Sequence, residues 1–313
     1  MSRKKLIRSS IFSSCAIIAL LLSIILVYGT KSYGWFSSSM TVWGNNAQVV
    51  LSNQSYELSI PRSSGLSSDL TSHFSGYTTD LTTSSQNPNF FCIIEAEDNA
   101  ETIEPGSYGK ITFNIVCNEN SNQSFIFDLS LHGIKETYVE EVRTLVDLDP
   151  EIADEAKTLE LLKGHIMLFA TRTSISGDGT GPYYYSDHIT DTLSYSTSGV
   201  TPTYQNGKYY YPVEIYWVWP LSFSQMVYPE SDARLNTNTL ISDTELRSDL
   251  IDYIGANPNK YFYWSSNQSI SYTSGYEQSQ NNYRVLTEGY NNADQRIGDN
   301  IRFLVVEIIV NQG

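Results

Sequence analysis

The sequence predicts a mainly β protein, an antiparallel β-sandwich of jelly-roll type carrying two amphipathic helical insertions after an N-terminal signal helix. Three observations predict it. Short runs of β-branched and aromatic residues recur between clusters of Asn, Ser, Gly and Pro. Only two segments combine helical spacing of apolar residues with helix-start chemistry. Strands and helices do not alternate in βαβ order, which sets aside a doubly wound parallel sheet.

The N-terminus comes first. Arg3, Lys4, Lys5 and Arg8 form a cationic segment, followed by a near-continuous apolar run from Ile11 to Tyr28. Ser32 and Gly34 then supply small residues at the −3 and −1 positions of a cut before Trp35. That order is the layout of a secretory signal peptide. An uncleaved anchor is the alternative, since the run approaches the roughly 20 residues that span a bilayer. In either case the positive-inside rule puts residues 35–313 outside the cell. The expected organisation is a signal peptide or anchor over 1–34 and one extracellular β-sandwich domain with long polar insertions over 35–313.

The predicted strands follow in order: YELSI (56–60), FFCIIEAE (90–97), KITFNIV (110–116), SFIFDLSLHGI (124–134), HIMLFATRT (165–173), YYYPVEIYWVW (209–219) and NIRFLVVEIIV (300–310). In the run before Pro220, Val213, Ile215, Trp217 and Trp219 alternate with Pro212, Glu214, Tyr216 and Val218, the period of a half-buried strand. The last run is apolar on both faces and reads as a central strand. One helix is expected from Asp149-Pro150-Glu151 to Gly164, with Ile152, Ala156, Leu159 and Leu162 as its stripe. A second opens on the capping box Ser242-Asp243-Thr244-Glu245, buries Leu246, Leu250 and Ile254, and stops between Gly255 and Pro258. The polar stretches 61–89, 174–208 and 265–299 read as loops or hairpin insertions.

Cys15 lies inside the apolar run, leaving Cys92 and Cys117. A hairpin folded about Glu104–Pro105 would set these two opposite one another. One disulfide is then geometrically allowed, worth about 3–4 kcal/mol in the chain-entropy model; two buried thiols on adjacent strands are the other reading.

Charge excludes several partners. Loss of residues 1–34 removes five of the 19 basic residues and none of the 34 acidic ones, moving the formal charge from −15 to −20. Such a surface repels nucleic acid and does not dock on anionic lipid. Membrane contact is expected only through residues 11–28, if they are not cut away.

The segment GTKSYGWFSSSMTVWGNNAQVVLS (29–52) resembles the start of the TasA/camelysin family of secreted Gram-positive surface and biofilm-matrix proteins. Gly29, Thr30, Gly34, Trp35, Phe36 and Ser37 carry the likeness, which runs over residues 3–52; Ser32-Tyr33-Gly34 stand where the family has Thr-Phe-Ala. YWVWP (216–220) and GYNNADQRIGDN (289–300) resemble phrases of uncharacterised secreted relatives. The resemblance implies a jelly-roll subunit, exported, cut by a dedicated signal peptidase, and assembled with itself or other matrix subunits into extracellular fibres.

Camelysin relatives carry a metalloprotease label, which the residues here do not support. His73, His132, His165 and His188 are mutually distant and none begins an HExxH. A nucleophile elbow and a phosphate loop are absent as well, and Gly177-Asp178-Gly179-Thr180-Gly181 reads as a turn. No catalytic residue, no cofactor and no enzyme activity are expected. Calcium has only weak candidates, Asp178, Asp187 and Asp191, and a second cluster of Asp147, Asp149 and Glu151, in which helix capping explains Asp149 and Glu151 without metal. The tyrosine runs 183–185, 209–211 and 261–264 read as half-buried strands, with exposed platforms for sugar rings as the alternative.

Two functions are therefore expected to compete: a fibre subunit assembling by strand exchange, and an adhesin or carbohydrate-binding module on the same fold. The C-terminus IIVNQG shows no sorting motif, so a cleaved product must be released, self-assemble or bind a partner. Trp35, Phe36, Met40, Val42 and Trp43 are the expected assembly arm, joined by the polar Ser37–Ser39.

Overall fold

The computed structural model describes residues 56–59, 89–97, 103–120, 122–140, 142–233, 235, 237–264 and 280–312. The chain divides into two compact units, Met1–Trp35 and Phe36–Gly313, and every described residue belongs to the second.

Among these residues the chain forms two antiparallel sheets. Its strands are β1 (Tyr56–Ser59), β2 (Asn89–Ile93), β3 (Tyr108–Cys117), β4 (Ser124–Val139), β5 (Val142–Asp147), β6 (Met167–Ser174), β7 (Tyr183–Ile189), β8 (Thr192–Ser196), β9 (Thr203–Gln205), β10 (Lys208–Val218) and β11 (Phe303–Gln312). The first sheet runs β1-β3-β10-β6-β7, with β9 also on β10; the second runs β2-β11-β4-β5, with β8 also on β4. The pairings nest. β2 pairs with β11, β3 with β10, β4 with β8 and β6 with β7, so early strands meet late ones and the middle strands meet each other.

Alternation places the core. Ile111, Phe113 and Ile115 of β3 are buried, as are Val213, Ile215 and Trp217 of β10, while Lys110 and Glu214 face outward and form an ion pair. The Phe113 ring meets Phe90 of β2 at 5.1 Å and Phe127 of β4 at 5.2 Å, both edge-on, which joins the two sheets. Each such side chain contributes about 1.5–3 kcal/mol by leaving water. β11 is covered on both sides, as its sequence predicts. Leu304, Val306, Ile308 and Val310 are buried on one face, and Phe303 and Val305 pack with Ile134 and Leu145 on the other.

The helices depart further from expectation. α1 spans Ala153–His165, and its N-cap is Ile152, without a side-chain cap. Asp149 instead accepts from the Glu151 amide at 2.8 Å, closing the preceding turn on itself. The buried face of α1 is Thr158, Leu161, Leu162, Gly164 and His165, whereas Ile152 is exposed. Gly164 does not end the helix. It lies inside it because a Cβ there would sit 2.2 Å from the Lys260 carbonyl oxygen.

α2 (Phe223–Val227) is a single buried turn. α3 (Thr244–Ala256) buries Leu250 and Ile254 as predicted, but Asp243 is the cap, accepting from the Glu245 and Leu246 amides at 2.9 and 3.0 Å. α4 (Gln280–Asn300) occupies much of a stretch read as loop. Its buried Leu286, Tyr290, Ala293 and Ile297 recur at helical spacing, and the other positions are almost all polar. Together α2, α3 and α4 close a second core with Met167, Phe169 and Val218 of the first sheet.

The hairpin expected to join Cys92 and Cys117 does not form. Cys92 pairs with Val306 in the second sheet and Cys117 with Tyr209 in the first. After β2 the chain crosses between sheets, with the Glu97 amide donating to the Tyr108 carbonyl at 2.9 Å. Both cysteines are buried free thiols, and burial pushes them up to about 12 and about 11.

Candidate functional site

Ser32, Gly34, Trp35 and the arm residues Phe36, Met40, Val42 and Trp43 lie outside the described residues, as does His73. Among the described residues no helix is long and apolar enough to cross a membrane.

The acidic candidates are not brought together. Asp178 caps its own turn, accepting from Ser176 Oγ, from the Thr180 amide at 2.9 Å and from Thr180 Oγ1 at 2.6 Å, between Gly177 and Gly179 with φ of 76° and 84°. These donors hold its carboxyl well below the usual range. Asp187 accepts from Thr171 Oγ1 at 2.8 Å, and the Asp191 carbonyl accepts from the Leu129 amide. Among the described residues no three His, Cys, Asp or Glu side chains gather as metal ligands.

The histidines lie apart. His132 Nε2 faces Glu307 at 2.9 Å across the β4–β11 pair. His188 sits between the rings of Phe169 and Tyr253. His165, the last residue of α1, is fully buried; its Nδ1 lies 2.6 Å from Asp294 Oδ1 and its Nε2 3.1 Å from the Tyr261 carbonyl. A carbonyl only accepts, so Nε2 carries a hydrogen, and one proton lies in the contact between Nδ1 and the carboxyl. Trp219 Nε1 donates to the same Asp294 oxygen at 2.6 Å, and the Tyr290 ring stacks on the imidazole at 4.1 Å. This cluster ties α1, α4, the end of β10 and the segment after the 3-10 turn Pro258–Lys260 into one buried knot. With His165 at 0% exposure the knot presents no face to a substrate, and its work is to hold the helices on the sheets.

The tyrosine runs go mostly to the core. Tyr183, Tyr185, Tyr211, Tyr261 and Phe262 are buried. One exposed aromatic that the sequence did not single out is Tyr204 on β9. Its ring lies 4.8 Å from that of Tyr209 across a hairpin turned by Asn206 and Gly207, both at positive φ.

Among the described residues the first sheet runs from β1 to β7 and the second from β2 to β5. β3 pairs with β10 along ten residues and, among the described residues, with β1 from Asn114 to Cys117. On the second sheet β5 is the end strand, and the hairpin it makes with β4 exposes Tyr138, Val139 and Val142 at 68%, 59% and 64%. Comparison with protein-family models, with curated proteins and with solved structures finds no match to this chain.

Proposed function

We propose that this protein is an extracellular structural subunit of a cell-surface or biofilm-matrix fibre, built on a jelly-roll sandwich and assembled by strand exchange between protomers. The observation that carries the reading is the edge position of β1, which among the described residues pairs with β3 from Asn114 to Cys117 and lies at the end of the first sheet. A strand from a neighbour laid along this edge would extend the sheet by main-chain hydrogen bonds. The nested pairing of β2/β11, β3/β10, β4/β8 and β6/β7 supports the jelly-roll order, since it is what eight strands give when one long hairpin is rolled up. The likeness of residues 29–52 to TasA/camelysin proteins supports export and supplies the donor, the arm from Trp35 to Trp43. Donation of this kind is head-to-tail and does not close, so it yields filaments. Electron microscopy of the secreted protein tests the reading, with filaments expected and only dispersed monomers counting against it.

A second reading, an adhesin or carbohydrate-binding module, is favoured by the exposed Tyr204 beside Tyr209. It requires glycan binding by monomers that Tyr204→Ala removes.

A further inference from the structure

Tyr204 and Tyr209 are close together and open to solvent at once. They are cross-strand partners in the β9–β10 hairpin, so both side chains stand on one face. Asn206 and Gly207 turn the hairpin at φ of 53° and 81°, and a two-residue turn of this hand fixes which residues face each other. The ring centroids are 4.8 Å apart with their planes at 47°. Two phenol rings joined by a single carbon–carbon bond adopt a similar separation and twist.

Other tyrosine pairs lack this combination. Among the described residues the next closest are Tyr228–Tyr283 at 5.1 Å and Tyr108–Tyr183 at 5.4 Å. Tyr228 and Tyr183 are buried, out of reach of an oxidant in solution, and the second pair meets edge to face. Tyr204 is 63% exposed and Tyr209 is half-buried. β9 itself is three residues long and pairs with β10 over those three. A strand held so lightly opens locally far more often than a core strand, and a covalent bond at its centre would keep it closed.

We propose that Tyr204 and Tyr209 are a site of oxidative cross-linking, in which the ring carbons ortho to the two hydroxyls are joined and β9 is locked onto β10. The oxidant is hydrogen peroxide acting through a haem peroxidase. Each phenol loses one electron and one proton to give a phenoxyl radical, and peroxide takes up both electrons and both protons to become two waters. The radicals combine at their ortho carbons. The hydrogens on those carbons then move to the oxygens, which restores both rings. The site depends neither on fibre assembly nor on glycan binding.

The test treats the full chain, at high dilution, with hydrogen peroxide and a haem peroxidase. The expected product is a monomer lighter by two hydrogens that shows dityrosine fluorescence. Trypsin cuts after Lys208, between the two tyrosines, so the bond should appear as two joined peptides carrying Tyr204 and Tyr209. Tyr204→Phe, an exposed position whose change leaves the fold intact, should lose this product. Tyr138→Phe, which removes a more exposed tyrosine, should keep it. Amide hydrogen exchange over residues 203–205 should slow once the bond has formed. An unaltered mass, bonds only between copies, a bond joining another pair in place of this one, or a product that survives Tyr204→Phe would overturn the proposal. Exchange that stays as fast in the cross-linked monomer would overturn the lock.

Discussion

Trp219 Nε1 donates to Asp294 Oδ1 at 2.6 Å, and that same oxygen lies 2.6 Å from His165 Nδ1. Trp219 follows β10 and Asp294 lies in α4, within the stretches 216–220 and 289–300 of the sequence. The bond is buried, and with the His165 contact it gives Asp294 Oδ1 two partners.

Removing that carboxylate leaves both donors stranded, and breaking a buried pair costs about 3–5 kcal/mol. Asp294→Ala is therefore expected to lower the denaturation midpoint by that amount. Trp219→Phe, which removes one donor and keeps the ring, should cost about 1–2 kcal/mol. Urea unfolding of the two variants checks both, and equal, small effects would mean the knot does not hold α4.

Gly164→Ala puts a Cβ against the Lys260 carbonyl, where it would stand 2.2 Å away. Backbone cannot give cheaply, so a loss of about 1–3 kcal/mol is expected despite alanine's better helix propensity. If Gly164 were an ordinary helix glycine, thermal melting would show the variant more stable.

How far the sequence could be read follows from these elements. The long strands were legible because β-branched and aromatic runs leave few alternatives, and β11 announced its central place by having no polar face. α4 was missed because its apolar stripe is thin: Tyr283, Leu286, Tyr290, Ala293 and Ile297 are spaced as a helix requires, but among Asn, Gln, Asp and Arg they read as loop. β5 is six residues with no strong period, and it exists through its pairing with β4. The Cys92–Cys117 hairpin failed for a different reason. Symmetric spacing about a turn presumes that both strands share a sheet, and here they do not. The His165–Asp294 contact spans 129 residues and leaves no local mark.

Both thiols should accordingly resist alkylation in the folded protein and react fully in denaturant. Burial raises Cys92 to about 12 and Cys117 to about 11, so the thiolate is scarce at neutral pH. Reductant should not change the melting temperature. A mass shift for one intramolecular bridge in native, unreduced protein would contradict this.

Burial, and then the Lys260 ammonium, push His188 down from 6.5 to about 4. The unfolded chain takes up this proton at higher pH than the folded one. Stability from His188 is therefore whole above pH 6.5 and drains away as pH falls toward 4, by about 3 kcal/mol. The slope of melting temperature against pH over this window should flatten in His188→Gln, and an unchanged slope would assign the acid loss to carboxylates instead.

The central claim is assembly through a donated arm, and deletion of residues 35–43 tests it most directly. If a neighbour's arm extends the first sheet along β1, the truncated protein folds, stays soluble and forms no filaments under the electron microscope. If residues 35–51 were instead the first strand of their own domain, the deletion would unfold it. That result, or filaments that persist without the arm, would contradict the account.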